Sequence, residues 1–350
     1  MRSATSASIG TDGASQISPT PPPTGKGRRV HSLLVVGNVS QVTDALIDNV
    51  GRVVRGKNDE IRLALCCLFT EGHLLLDDVP GTGKTSLAKA IAGSIAGTWK
   101  RVQFTPDLLP SDVTGVMVFD QSGSTFSFRE GPVFTNVLIG DEINRGSPKT
   151  QSALLEVMEE RQVTADGVSR PVPRPFLVIA TQNPRDFQGT FPLPDVQLDR
   201  FAMRLTLGYA DNDTEVSILE DYTREHEHDD VTPVTDAEEL DQLISTIDTI
   251  PVVRSIHDYI VSIAAATRVH PDLRLGVSTR GTLTMLRVAR AYAATADRDY
   301  VTPDDVQAIA NPVFTHRMAL TAEAELRGVR AETVLADIID EIPVPRTREA

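Results

Sequence analysis

Apolar positions along this chain fall into two regimes that change near residue 208. Before it, short continuous apolar runs at 74–79, 102–104, 137–141, 176–181 and 201–207 alternate with stretches whose apolar residues recur every three or four positions. Val42, Leu46, Val50 and Val53 form one such stripe, and a second helix is predicted over 58–70. A helical turn puts residues three and four apart on one face, so this spacing signals helix. Short unbroken apolar runs suit strands covered on both faces. Five of them alternating with helices predict a parallel, doubly wound α/β sheet.

Beyond residue 208 only helical patterns remain. Thr235 and Glu238 stand as a capping box ahead of Leu240, Leu243 and Ile247. Ser278 opens another helix, with Leu283, Leu286 and Ala289 expected on one face. Thr302, then Pro303 at the first helical position, opens a third. The organisation read from this is an α/β core over 37–210 and an all-helical domain over 211–345. Residues 1–36 are rich in Ser, Thr, Gly and Pro and are expected to form a disordered tail, because they bury too little apolar surface to offset chain entropy. The tail's few charges are mostly basic, and an interaction arm is the alternative to a solvated tail.

Composition narrows the class. At 350 residues, 41% hydrophobic and 23% charged, the chain suits a soluble two-domain protein. No apolar run reaches membrane-spanning length, so a membrane-embedded protein is not expected. No signal-peptide pattern opens the chain, and a cytoplasmic location is expected. A net charge of −14 counts against a general nucleic-acid binder, which needs a basic face. Cys66 and Cys67 are adjacent and make neither a disulfide framework nor a zinc pattern, so they read as buried thiols. His226 and His228 alternate with acids; an exposed helix end explains them better than a metal site.

The chemistry starts where Leu74, Leu75 and Leu76 deliver the backbone into Pro80-Gly81-Thr82-Gly83-Lys84-Thr85-Ser86, with a helical pattern at once after it. Backbone N–H groups at a helix N-terminus can wrap phosphates, a lysine can reach the β/γ oxygens, and a threonine hydroxyl can ligate Mg²⁺. The strict phosphate-loop pattern has glycine where Asp78 stands. The run 137–141 ends in Asp141 followed by Glu142, which offers a carboxylate for a metal's water shell and a base for an attacking water. The run 176–181 ends in Gln182-Asn183, where the amide of Asn183 either orients that water or simply makes a turn before Pro184.

Further motifs follow in order: Gln-Phe-Thr-Pro-Asp-Leu-Leu-Pro-Ser-Asp (103–112), Gly-Pro-Val-Phe (131–134), Asp-Glu-Ile-Asn-Arg (141–145), Pro-Lys-Thr-Gln-Ser-Ala-Leu-Leu-Glu (148–156), Glu-Arg-Gln-Val-Thr (160–164), Ala-Thr-Gln-Asn-Pro (180–184) and Phe-Pro-Leu-Pro-Asp-Val-Gln-Leu-Asp-Arg-Phe (191–201). The series resembles the MoxR family of AAA+ ATPases over about 38–320. That family also carries acidic residues before Val-Pro-Gly, which accommodates Asp78. The resemblance implies an AAA+ P-loop fold with a helical lid, Mg²⁺-ATP as substrate, and a homo-oligomeric ring, most often a hexamer. It implies that Pro80 to Ser86, with Lys84 and Thr85, form Walker A, and that Asp141 and Glu142 form Walker B with Glu142 the base. Asn183 resembles sensor 1, Arg200 the arginine finger, and Arg280 sensor 2, although Thr279 stands where the family more often has proline. Gly56 and Lys57 resemble the segment near the adenine. On residues alone, a surface ion pair with Asp199 is the better reading of Arg200, and Arg145 is a second interface candidate with a local ion pair as its alternative. Sequence leaves open whether Arg280 serves its own chain's nucleotide or a neighbour's.

Two segments, 113–128 and 163–175, resemble the helix-2 insert and pre-sensor hairpins of this clade. Asp120-Gln121-Ser122-Gly123-Ser124 mimics an adhesion-type metal motif, but fewer than about 30 residues separate it from Asp141, too few for a further crossover domain, so it reads as a hairpin turn. The family implies chaperone-like maturation of protein complexes, often with a von Willebrand factor A domain partner. A metal-chelatase motor subunit is the alternative. A nucleic-acid remodeller is disfavoured by the acidic balance, a non-hydrolysing switch by the full set of catalytic candidates, and a GTPase by the lack of an Asn-Lys-x-Asp run.

Overall fold

The computed structural model describes residues 26–121, 124–183, 189–222 and 231–345. Helix α1 (Lys26–Gly51) and helix α2 (Asn58–Phe69) precede strand β1 (Leu74–Asp77). Helix α3 (Lys84–Gly93) leads to β2 (Trp99–Gln103), and then to the antiparallel hairpin β3 (Gly115–Asp120) and β4 (Thr125–Glu130). Strand β5 (Val137–Asp141), helix α4 (Pro148–Glu160), the hairpin β6 (Gln162–Ala165) and β7 (Val168–Pro171), β8 (Leu177–Gln182) and β9 (Met203–Leu205) complete the core.

Strands β9, β1, β8, β5 and β2 lie in that order in one five-stranded sheet, and every neighbouring pair is parallel. The alternation of side chains across a strand divides the apolar core in two. Leu74, Leu76, Val137, Ile139 and Ile179 face α1, α2 and α3, whereas Leu75, Leu138 and Val178 face Phe104, Leu154 and Phe176. Both faces of the central strands are covered, which is why β1, β5 and β8 start as unbroken apolar runs, whereas β2 at the sheet edge buries only Val102. Sheet order and direction also bring the C-terminal ends of β1, β5 and β8 to one edge, where ligands bind in open α/β sheets.

The second domain comprises α5 (Asn212–Tyr222), α6 (Ala237–Asp248), α7 (Arg254–Val269), α8 (Thr279–Thr295), α9 (Pro303–Phe314) and α10 (Ala331–Glu341), with short one-turn helices between. Met285, Val288, Ile263, Val306 and Leu335 belong to the same apolar cluster as α1 and α2, so these helices share a core with one face of the sheet. Two short pairings supplement the helices: Leu273–Leu275 with Ala319–Leu320, and Thr235–Asp236 with Ile95–Ala96. No helix among the described residues is long and apolar enough to cross a membrane.

Three local expectations need correction. Helix α1 starts at Lys26, so 26–36, expected within a tail, is helical backbone; that stretch contains no proline, and a helix already anchored by Val39, Val42 and Leu46 extends at little further cost. Residues 1–25 lie outside the described residues. The cap of α6 is Asp236, not Thr235: Asp236 Oδ1 accepts the Glu239 N–H at 2.8 Å, because Thr235 is engaged in the strand pairing with Ile95 and turns its hydroxyl to Glu239 Oε2. Leu283 is 59% exposed, and the buried face of α8 is Gly281, Met285, Val288 and Ala289. Leu283 is two residues past Gly281, roughly 200° round the helix, and so faces outward. The caps at Ser278 and at Thr302, the latter paired with Asp305, stand as expected. His226 and His228 lie outside the described residues, as do Ser122 and Gly123 between β3 and β4.

Candidate active site

The loop after β1 reaches α3 through two glycines in the left-handed region, Gly81 at φ +84° and Gly83 at φ +85°. A Cβ at either would be strained by the backbone angle alone, so the cradle requires glycine there. The Lys84 ammonium lies against its own loop, donating to the Asp78 and Val79 carbonyls at 2.6 Å each. Partial burial pushes the Lys84 pKa down, opposed by Asp78, Asp77, Glu142 and Asp141, whose carboxylates favour the charged form. Asp78 is buried and accepts from the Val79 N–H at 2.7 Å and from the Gly208 N–H at 2.6 Å. Its carboxylate thus ties the phosphate loop to the chain that leads into the lid.

Asp141, 2% exposed at the end of β5, accepts from three side chains: Thr85 Oγ1 at 3.1 Å, Thr181 Oγ1 at 3.3 Å and Arg101 Nε at 2.6 Å. The Thr85 hydroxyl and the Asp141 carboxylate form a hard-oxygen pair suited to Mg²⁺, which keeps most of its ligands as water and phosphate oxygens. No cluster of three or more His, Cys, Asp or Glu among the described residues would form an all-protein metal cage. Glu142 adopts φ +53°, ψ +51°, uncommon for a residue with a side chain, and its N–H donates to Thr181 Oγ1 at 3.0 Å. Thr181 therefore holds both acidic residues. The Glu142 carboxylate is 41% exposed and paired with Arg145 Nη1 at 2.9 Å, so here Arg145 makes the local ion pair. Asn183 follows β8 at the same edge; its carbonyl accepts from Asn144 Nδ2 at 3.2 Å, and the preceding Gln182 carbonyl accepts from the Asp78 N–H at 3.4 Å.

Beside the phosphate loop lies a cleft of about 470 Å³ lined by Val53, Val54, Gly83, Tyr209, Ile218 and Leu219 among others. Lys57 also lines it and donates from Nζ to the Tyr209 carbonyl at 3.2 Å. Gly56, at φ +70°, packs against Thr214. The apolar walls suit a purine base. Sequence reading missed Tyr209, Ile218 and Leu219; the available signal was their apolar character on α5 and the approach to it.

Arg200 and Arg280 are not part of this cleft. They line a separate cavity of about 290 Å³ with Arg161, Asp199 and Arg287. There they meet on one carboxylate: Arg200 Nε lies 3.0 Å from Glu159 Oε2, and Arg280 Nη2 bonds Glu159 Oε1. Asp199 does not pair with Arg200; it accepts from Ser278 Oγ at 2.9 Å and Arg317 Nε at 2.7 Å. Glu159 was also missed. Its signal was two acids, Glu159 and Glu160, closing a helix whose negative dipole end disfavours them.

A glycine loop at a helix N-terminus, the Asp141–Glu142 pair and Asn183 lie at one edge of a parallel sheet followed by a helical lid, the arrangement of an AAA+ ATPase. The comparisons agree. The family model "ATPase family associated with various cellular activities (AAA)" matches residues 73–203, and "AAA lid domain" matches 265–338. The chain is 45% identical over 304 residues to the uncharacterized protein YeaC of Bacillus subtilis, covering 87% of this chain and 95% of that one. It is 36% identical over 318 residues to Chaperone MoxR1 of Mycobacterium tuberculosis, covering 86% and 81%. The crystal structure of an inferred ATPase from Cytophaga hutchinsonii superposes with TM-score 0.84 at 34% identity, covering 92% of this chain and all of that one. The chain belongs to the MoxR family of AAA+ ATPases.

Proposed function

We propose that this chain hydrolyses Mg²⁺-ATP to ADP and phosphate in a homo-oligomeric ring, most simply a hexamer, at sites that two subunits build together. The observation that carries this reading is the separation of Arg200 and Arg280 from the phosphate loop of their own chain. Both cations line a cavity away from Lys84, so a neighbouring copy's nucleotide is the natural target for each, Arg280 as well as Arg200.

In this reading Lys84 neutralises charge on the bound phosphates, and Thr85 and Asp141 hold the Mg²⁺. When bound, the ion would supply positive charge to offset what develops on the phosphate oxygens. Glu142 accepts the proton of the attacking water once its carboxylate leaves Arg145, and Asn183 orients that water. The neighbour's guanidiniums fork onto the γ-phosphate oxygens and stabilise the charge of the transition state without losing a proton. Movement of the lid against the sheet domain passes the cycle to a protein client. The family likeness supports chaperone-like assembly, maturation or activation of a protein complex, with a von Willebrand factor A domain partner. The strongly acidic net charge argues against nucleic acid.

Glu142→Gln is expected to lower turnover by about 10²–10⁴-fold while ATP still binds. Arg200→Ala should also be inactive. Mixed, the two variants should regain activity, because some interfaces combine the intact Walker B of one with the intact Arg200 of the other. Steady-state hydrolysis of the mixture reads this, and no recovery from rings that still assemble would refute shared sites. ATP-bound Glu142→Gln protein should retain its client, and recovery of no von Willebrand factor A protein with it would remove that partner.

A further inference from the structure

Glu159 has no assigned task in the reaction above, yet both its carboxylate oxygens are used, one by each of the two cations expected at the subunit interface. It belongs to the last turn of α4 in the core; Arg200 lies on the turn before β9, and Arg280 on the first turn of α8 in the lid. The other charged groups in this cavity are engaged elsewhere. Arg161 pairs with Glu71 and donates to the Phe176 carbonyl, Arg287 donates to the Thr70 carbonyl, and Asp199 accepts from Ser278 and Arg317.

Two guanidiniums that converge on one spot repel each other, more strongly where solvent is partly excluded. Arg200 is 28% exposed and Arg280 46%, so bulk water does not fully screen the pair. A carboxylate between them offsets that repulsion and fixes their spacing. It does so without using up their donors. Glu159 takes Nε of Arg200 and Nη2 of Arg280, and a guanidinium has five N–H groups in a rigid fork. The remaining N–H groups of both can still reach a phosphate. The position of Glu159 at the negative end of a helix is unfavourable by itself and becomes favourable only with cations beside it.

We propose that Glu159 is a positioning residue that holds Arg200 and Arg280 as a single clamp for the neighbouring subunit's γ-phosphate. The proposal rests on the reading that these arginines act in trans. It predicts that Glu159 matters in the subunit that donates the arginines and not in the subunit that binds the nucleotide.

The test uses mixed rings. Productive interfaces in a mixture of Glu142→Gln and Arg200→Ala chains take their arginines from the Glu142→Gln subunit and their nucleotide site from the Arg200→Ala subunit. Adding Glu159→Gln to the Glu142→Gln chain should cut the regained hydrolysis by up to about 10²-fold, the loss that a misplacement of about 1 Å can cause. Adding it to the Arg200→Ala chain should leave hydrolysis unchanged, as should half-saturation by ATP in either mixture. Glu159→Asp, one methylene shorter but still charged, should restore part of the loss and serves if Glu159→Gln fails to fold. Equal losses from both placements would mean a merely structural role and overturn the proposal, and so would no loss from either. Failure of the parent mixture to regain any activity would instead remove the trans reading itself, and the clamp with it.

Discussion

His73 shows how completely one side chain's chemistry can be set by its neighbours. Its ring is buried between the last turn of α4 and β8. The Val178 N–H donates to Nδ1 at 3.0 Å, so Nε2 carries the proton and donates to the Met158 carbonyl at 3.0 Å. Burial, and next the Arg161 cation, hold its pKa down to about 3. His316 is pushed well below its usual value by the same two causes, with Arg317 as the cation. Unfolded, each takes a proton near pH 6.5; folded, neither does until far lower. Their contribution to stability is therefore present above pH 6.5 and is lost as pH falls towards 3, at about 1.4 kcal/mol per pH unit per histidine. Urea unfolding between pH 7.5 and 5 should show this slope. His73→Gln keeps one acceptor and one donor and should remove about one proton of it; an unchanged slope would show that His73 is not a source. At this scale the sequence pointed to candidate site residues more readily than to their partners. Lys84, Thr85, Asp141 and Glu142 could be read because their spacing is dictated by phosphate and metal chemistry. Thr181, which holds both Walker B acids, could not, because a threonine at a strand end has no distinctive pattern.

Among elements, the buried strands β1, β5 and β8 and helix α2 were placed closely by their apolar patterns, whereas β2, which buries only Val102, and the short β9 were placed only in part. Boundaries shifted at Asp236, where strand pairing engages Thr235, and at the start of α1, where no proline stops the helix from extending. The loop between β1 and α3 is the instructive case. Asp78 departed from the strict phosphate-loop pattern, and the reason lies 130 positions along the chain, at the Gly208 N–H. No local reading reaches that far. The bond joins the phosphate loop to the segment carrying Tyr209, a wall of the base cleft. Asp78→Ala should strand the Gly208 N–H and let the two walls drift apart, at a local cost of about 1–3 kcal/mol. ATP titrated into the Asp78→Ala, Glu142→Gln double variant should bind about 5–150-fold more weakly than to Glu142→Gln alone, since each 1.4 kcal/mol is tenfold. Equal affinities would mean that the cleft does not depend on this tie.

For the molecule as a whole, the decisive contact is between core and lid, and it runs through a buried cation. Arg317 is 4% exposed and donates to Asp199 Oδ1 at 2.7 Å, to the Phe201 carbonyl at 2.6 Å, to the Ala202 carbonyl at 3.2 Å and to the Val313 carbonyl. Burial pulls its pKa down while Asp199 pulls it up, yet a guanidinium stays charged. The short turn 199–202, which presents Arg200, therefore hangs from the lid. Sequence indicated a core and a lid; it did not indicate that the lid positions the core's own arginine finger candidate, because that depends on a tertiary contact between residues over a hundred positions apart. Arg317→Met keeps an apolar stem of similar reach but removes every donor. It leaves Asp199 with Ser278 alone and the Phe201 carbonyl with His316, and should destabilise the chain by about 3–5 kcal/mol. Below its melting temperature the variant should still bind ATP, because the phosphate loop and base cleft make no contact with this network. It should hydrolyse poorly, and the deficit should follow the arginine-donating subunit when Arg317→Met is placed on one or other side of the mixed rings. Wild-type hydrolysis by folded Arg317→Met protein would mean that Arg200 holds its place without the lid.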